Sequence, residues 1–147
     1  GTPSKTFSMT FTTGEGNYED NTATPDVDVK PLTQAEKDEI VSVAKYVATN
    51  WDTFNNIPSS KVNTWSTWIT KDYLAEKKDI NASIEAINGQ EDTSVYPPYK
   101  LVKLTAEFGD PLNPKVTVVT AKVTFIFTFA KEPTWKVNDV AFKDVKE

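Results

Sequence analysis

Hydrophobic residues between positions 33 and 54 recur every three or four residues, which predicts an amphipathic helix. Thr33 and Glu36 have the spacing of a capping box, in which each side chain accepts a hydrogen bond from the other residue's backbone amide. The segment from Asn55 to Pro58 ends the pattern. The apolar stripe, about four turns long, consists of Ile40, Val43, Ala44, Val47, Trp51 and Phe54.

Residues 60–88 predict two or three shorter helices. One apolar face is formed by Val62, Trp65, Trp68 and Ile69. Further along, Ile80, Ile84 and Ile87 repeat at i, i+4 and i+7, and Gly89 suits a left-handed helix end.

The C-terminal part alternates with the period of strands. A first strand covers residues 99–108, and a long second strand covers residues 115–130. In the second strand Val119, Ala121, Val123, Phe125, Phe127 and Phe129 share one face, and Val116, Val118 and Ile126 lie on the other. In a third strand, over residues 134–145, a bulge at Asn138-Asp139 would place Trp135 and Val137 on the same side as Val140 and Phe142.

The N-terminal 31 residues differ from the rest of the chain. Residues 5–13 alternate, with Phe7, Met9 and Phe11 on one face, and residues 14–31 are acidic and contain glycine and proline. We therefore predict a strand and an acidic arm over residues 1–31, followed by a single domain over residues 32–147. The isolated strand needs a partner, either the edge of its own sheet or a neighbouring protomer.

Helices followed by antiparallel strands predict the α+β class. We expect a strongly curved antiparallel sheet packed on the long N-terminal helix, with the shorter helices closing one end. In that arrangement Trp51, Phe125 and Phe127 are core residues.

The composition excludes several chemistries. The 147 residues include no Cys, His or Arg, so there is no thiolate, no imidazole base and no guanidinium fork for phosphate. A net charge of −5 and a pI of about 4.8 disfavour nucleic acid and anionic membranes as partners. The acids of the arm lack the spacing of a calcium loop, so we expect no metal and no cofactor.

The long helix, the aromatic segment from Trp65 to Leu74 and the ending from Pro133 to Phe142 resemble the nuclear transport factor 2-like (ketosteroid-isomerase) superfamily. Many of its members end in a similar aromatic-Lys-Val-x-x-Val-x-Phe strand. The resemblance covers roughly residues 32–147 and implies a conical α+β fold.

Acidic, lysine-rich members of that superfamily in Gram-positive bacteria suggest two roles. One is a scaffold subunit of a conjugative type IV secretion channel, with the cone outside the cell. The other is a cell-surface lipoprotein. The twenty Thr residues, the absence of Cys and a start at Gly1 rather than Met lead us to expect an extracellular domain whose membrane anchor lies upstream. The expected function is a non-enzymatic scaffold with protein partners, including further copies of the chain.

Two alternatives remain open at this point. A lipoprotein cone would bind a small apolar ligand through Trp65, Trp68, Tyr73 and Trp135, although packing in the core is the explanation that we favour for such aromatic residues. An isomerase would use Asp72, Tyr73 and Asp139 as base and oxyanion donor, residue types that occur together by chance in most chains.

Overall fold

The computed structural model describes residues 19–20, 31–89 and 96–143. The predicted strand over residues 5–13 lies outside them, as does most of the acidic arm. The elements are β1 (Glu19–Asp20), α1 (Gln34–Thr49), α2 (Trp51–Asn55), a 3₁₀ helix (Ser59–Trp65), α3 (Lys71–Asn88), β2 (Leu101–Glu107), β3 (Lys115–Thr120), β4 (Thr124–Lys131) and β5 (Trp135–Lys143).

The five strands form one sheet in the order β1-β2-β3-β4-β5. Strands β2 to β5 are antiparallel neighbours in an open, curved sheet, which confirms the α+β prediction. Strand β1 lies parallel to β2 at one edge, with Glu19 opposite Thr105 and Asp20 opposite Ala106. Part of the predicted linker therefore belongs to the sheet.

The long N-terminal helix begins as predicted and is interrupted near its end. Thr33 Oγ1 accepts a hydrogen bond from the Glu36 amide at 3.1 Å, and Glu36 Oε1 accepts one from the Thr33 amide at 3.0 Å, so the capping box is complete. Helix α1 ends at Thr49, Asn50 caps it, and α2 starts at Trp51.

The core lies between α1, α2 and one face of the sheet. Strand register places Ala106, Val116 and Phe127 side by side on this concave face. The ring of Trp51 lies 5.5 Å from that of Phe125. The predicted core residues Trp51, Phe125 and Phe127 are all buried.

The predicted long strand over residues 115–130 is wrong, because the chain folds there into the hairpin of β3 and β4. Thr120 closes the turn. Its Oγ1 accepts hydrogen bonds from the amides of Lys122 (3.2 Å) and Val123 (3.0 Å), and it donates to the Val123 carbonyl at 2.7 Å. A side chain thus makes a turn in a segment without Gly, Pro or Asn. The hairpin also turns Val116 and Val118 into the core, on the face opposite to the one predicted.

The bulge in the last strand is confirmed. Val137 pairs with Phe129 and Asp139 with Thr128, which leaves Asn138 as the extra residue. Val140 and Phe142 then lie opposite Phe127 and Phe125 on the concave face, together with Val137.

Replacing Thr120 with Val should lower the free energy of unfolding by about 1–3 kcal/mol, because two turn amides in a mostly buried environment lose their acceptor. Urea denaturation followed by tryptophan fluorescence measures the change. The control is Thr117→Val on the outer face of the same strand, where a partly exposed site should cost less than about 0.5 kcal/mol. Equal losses in the two variants would contradict the role given to the hydroxyl.

Candidate functional site

Helix α3 is fixed to β5 at its start. The Thr70 amide donates to the Val137 carbonyl at 2.9 Å, and the Val137 amide donates to the Trp68 carbonyl at 2.8 Å. The Thr70 side chain caps α3 by accepting from the Tyr73 amide, and it donates to Asn138 Oδ1 at 2.9 Å. At the other end Gly89 adopts the left-handed conformation, with φ 81°, as predicted.

The orientation of α3 about its axis leaves its isoleucines in solvent. Ile80, Ile84 and Ile87 are 49%, 47% and 83% exposed. The helix instead buries Leu74 together with two polar residues, Lys77 and Asn81. This is the reverse of the usual amphipathic helix, in which the apolar stripe faces the core.

Hydrogen bonds explain this orientation. Lys77 Nζ donates to Asn55 Oδ1, and Asn81 Nδ2 donates to the Ile57 carbonyl at 2.7 Å. One turn further, the Glu85 carboxylate accepts from the amide and the hydroxyl of Ser59, both at 2.7 Å. Lys77, Asn81 and Glu85 lie four residues apart and share one side of α3. Their partners, which run from the last residue of α2 to the first residue of the 3₁₀ helix, therefore determine which side faces inward.

The exposed residues Ile80 and Ile87 lie on the flank of α3 that contains Tyr73, whereas Ile84 also lines a cleft beside Asn55, Asn56 and Ile57. Ile80 and Ile87 follow Tyr73 at i+7 and i+14, so these three residues share a flank. Burial and the negative charges of Glu76 and Asp139 raise the pKa of Tyr73 to about 12. This flank starts beside β5, because Thr70, three residues before Tyr73, is bonded to Val137 and Asn138.

Strand β5 has an open edge next to that flank. Ile69 forms a parallel bridge with Val137, but among the described residues no strand pairs with residues 139–143 on the side away from β4. Phe142 is 48% exposed, although its ring lies 5.5 Å from those of Trp51 and Phe125. We call this region the β5–α3 surface: Ile80, Ile84, Ile87, Val140, Phe142 and the edge over residues 139–143.

The helical part of the β5–α3 surface has little charge. Residues 80–88 of α3 contain one ionisable side chain, Glu85, and its carboxylate is bonded to Ser59. The exposed small residues Ala82, Ser83 and Ala86 complete this part of the helix. An apolar, uncharged and exposed helix side is the composition expected of a surface that another protein covers.

A small cleft lies on the inner side of the C-terminal half of α3. Its volume is about 80 Å³, and Asn81 Oδ1 is buried there without a hydrogen-bond partner among the described residues. This volume fits about two water molecules, which would satisfy that oxygen. The cleft is lined by Asn55, Asn56, Ile57, Asn81, Ile84, Glu85 and Asn88.

The four predicted ligand residues do not line this cleft. Trp65 and Trp68 meet in an aromatic cluster, in which the Trp68 ring stacks on Tyr46 at 4.4 Å and the Trp65 ring lies 4.8 Å from that of Phe54. Trp65 is buried, whereas Trp68 and Tyr46 keep part of their surface exposed.

Trp135 is bonded to α1. Its indole Nε1 donates to Glu36 Oε2 at 3.1 Å, and its amide donates to Glu39 Oε2 at 3.1 Å. Lys131 Nζ lies 3.4 Å from the same Glu36 oxygen. The Thr33 amide, the Trp135 indole and Lys131 together lower the pKa of Glu36 to about 2. This cluster ties the start of α1 to the start of β5.

The three residues of the isomerase hypothesis are only partly brought together. Tyr73 is close enough to Asp139 to feel its charge, but Asp72 and Asp139 are both exposed to solvent. A catalytic carboxylate and its oxyanion donor normally face a cavity that excludes water. The raised pKa of Tyr73 follows from burial and two neighbouring negative charges, and it makes the phenol a weaker acid.

Within the described ranges, no three acidic side chains come close enough to bind a metal ion. In the same ranges, no helix has the length and hydropathy needed to cross a membrane. No known protein family, curated protein or solved structure matches the chain.

Protonation of Glu36 should contribute to unfolding in acid. Because its pKa is lower in the folded chain, its stabilising effect is complete above about pH 4.5 and is lost as the pH falls towards 2. The stability difference between the wild type and Glu36→Gln should therefore be largest near pH 7 and shrink below pH 4. Urea denaturation at pH 7, 4 and 2.5 measures it.

Trp135→Phe is the matched variant, since it removes the indole donor to Glu36, while the loss of volume at this buried ring adds a cost that does not depend on pH. It should show the same trend with a smaller amplitude, because the Thr33 amide, the largest cause of the lowered pKa, remains. A wild-type to Glu36→Gln difference that stays constant with pH would show that the carboxylate has no such role.

Proposed function

We propose that this chain is a non-enzymatic scaffold domain that binds other protein subunits through the β5–α3 surface. The observation that carries the proposal is the exposure of Ile80, Ile84 and Ile87 on a helix that is capped at both ends and tied to the body by hydrogen bonds. Exposed apolar residues concentrated on one side of an ordered helix favour a protein interface.

The open edge of β5 supports the same proposal. Unpaired amide and carbonyl groups at a sheet edge can accept an additional strand. The half-exposed Phe142 and the partly buried Val140 lie on the concave face at this edge. A partner strand would therefore gain both backbone hydrogen bonds and apolar contacts.

The wider setting that we propose is extracellular. The helix-covered curved sheet and the lysine-rich, acidic composition support membership of the nuclear transport factor 2-like superfamily. In this proposal the domain is a structural subunit of a Gram-positive conjugative type IV secretion system, anchored to the membrane through an upstream segment.

Chemical cross-linking and affinity capture from native cells test the interaction with three forms of the full chain. The wild type should recover other protein subunits. The variant Ile80→Glu/Ile84→Glu should recover at least about tenfold less, because burying two charges in the interface lowers the binding free energy by more than about 1.4 kcal/mol. The control is Leu112→Glu, which places a charge on a 76% exposed residue between β2 and β3.

Equal recovery by all three forms would refute binding through the β5–α3 surface. If the recovered subunits include no transfer-channel component, the secretion setting is refuted, while the docking role stands. Circular dichroism of the purified variants confirms that each remains folded.

The aromatic cluster supports a second candidate function, a cell-surface lipoprotein that binds a small apolar or aromatic ligand. Tyr46 is 40% exposed and stacks on the partly exposed Trp68, so a flat ligand has a surface to stack on.

Titration of tryptophan fluorescence with a library of hydrophobic ligands tests this candidate. If it is correct, at least one ligand changes the emission, and Trp68→Ala weakens that response about tenfold, in line with the loss of a stacked ring. A flat response to every ligand would refute it.

A further inference from the structure

We infer that the β5–α3 surface binds residues 5–13 of a second copy of this chain, which add to the open edge of β5 as an extra strand. The inference rests on the proposed function, because it names the partner of that surface. It follows from the sequence pattern of residues 5–13, the position of β1 and the length of chain between them.

The pattern of residues 5–13 fits the edge. Phe7, Met9 and Phe11 alternate with Thr and Ser, so one side of a strand formed by this segment is apolar and the other polar. Next to β5, the apolar side would continue the concave face beyond Val140 and Phe142, on the side where α3 starts. The half-exposed ring of Phe142 would then be covered.

The register of β1 removes one intramolecular alternative. Glu19 lies opposite Thr105 in a parallel pair, so an extension of β1 in the same register would place Glu15 opposite Leu101, the first residue of β2. Residues 5–13 would run past the start of β2, where the described part of the chain offers no strand to pair with.

The length of the connection removes a second alternative, pairing with β5 of the same copy. Six residue steps separate residue 13 from Glu19, and at full extension they span about 20 Å. A strand added to β5 lies five strand spacings from β1, which is about 24 Å across the sheet. The shorter path over the concave face is filled by α1, which contacts β2, β3, β4 and β5. The length of this connection does not limit pairing when residues 5–13 come from a second copy.

Charge also permits the N-terminal segment to pair with this surface. Residues 1–13 contain one ionisable side chain, Lys5, whereas the whole chain has a net charge of −5. The helical side of the surface has no unbonded charge between residues 80 and 88. The N-terminal segment, which contains no acid, can therefore lie against the edge that carries Asp139 without placing negative charges against each other.

Two copies of the chain can exchange their N-terminal strands reciprocally. Each copy supplies one N-terminal strand and one β5 edge, so two copies satisfy both and form a two-fold symmetric dimer. Pairing through Asp139–Lys143 would give each copy a sixth strand in its sheet.

The absence of Cys allows a direct test by disulfide cross-linking of the full chain. Ala141 is exposed, and its partner Ile126 places it on the outer face of the sheet, opposite to Val140 and Phe142. In a paired strand, residues directly opposite share a face. A cysteine in place of Ser8 or Thr10 should therefore cross-link to Ala141→Cys, whereas Met9→Cys should not.

Double variants Ser8→Cys/Ala141→Cys and Thr10→Cys/Ala141→Cys are oxidised with oxidised glutathione and run on a non-reducing gel. At least one should give mostly dimer, which reverts to monomer on reduction. The control pairs each tail cysteine with Leu112→Cys, exposed between β2 and β3, and should give at least about tenfold less dimer. Light scattering of the unmodified chain should show a concentration-dependent dimer, and Phe7→Ser/Phe11→Ser should weaken it about tenfold or more.

A monomer with an internal disulfide would overturn the inference in favour of pairing within one copy. Absence of any disulfide, or a wild type that stays monomeric at all concentrations, would overturn it as well. The result of this cross-linking test can be distinguished from the result of the capture test of the proposed function. If Ile80→Glu/Ile84→Glu loses other subunits while no cross-link forms, the scaffold role stands and the strand exchange fails.

Discussion

Phe125 lies at the centre of the ring contacts that hold the helices on the sheet. Its ring is 5.5 Å from that of Trp51 on α2, 5.4 Å from Phe127 and 5.5 Å from Phe142. Full burial of the rings of Phe125 and Phe127 contributes about 1.5–3 kcal/mol each. The curved sheet has one apolar face, and α1 and α2 cover most of it, so the remaining elements occupy positions that this packing leaves available.

Helix α3 is the element most affected by that constraint. With the concave face already covered by α1 and α2, α3 packs against the 3₁₀ helix and the start of β5. Its inward side is held by hydrogen bonds that Lys77 and Asn81 donate and that the Glu85 carboxylate accepts. Burial lowers the pKa of Lys77, because the ammonium group loses part of its hydration and has an amide, not a carboxylate, as its partner. This inward side leaves the isoleucines available for the interaction that we propose.

Much of the architecture follows from local pattern. The capping box of Thr33 and Glu36, the core position of Phe127 and the bulge at Asn138 each depend on residues near one another in sequence, and all three predictions are confirmed. The turn at Thr120 was missed because a hydroxyl replaces the usual turn residues there.

The orientation of α3 required tertiary information. The isoleucine repeat correctly places the helix, but Lys77, Asn81 and Glu85 form an equally regular stripe, and only their partners, from the end of α2 to the start of the 3₁₀ helix, decide which stripe faces inward. Trp65, Trp68, Tyr73 and Trp135 were grouped as ligand residues by type, whereas the structure joins only Trp65 and Trp68 in one ring cluster. The indole of Trp135 is instead bonded to Glu36, a contact between residues far apart in the chain.

Helix α3 is attached to the rest of the molecule mainly by hydrogen bonds. A helix that is joined to its body by a few amide and carboxylate contacts buries little apolar surface, so it can detach at a lower free-energy cost than the sheet can open. We therefore expect amide hydrogens of α3 to exchange with solvent before those of β3 and β4, as a separate cooperative unit. In such a partly opened form, the ring of Phe54, which lies beneath Lys77, would be among the first parts of the core to meet water.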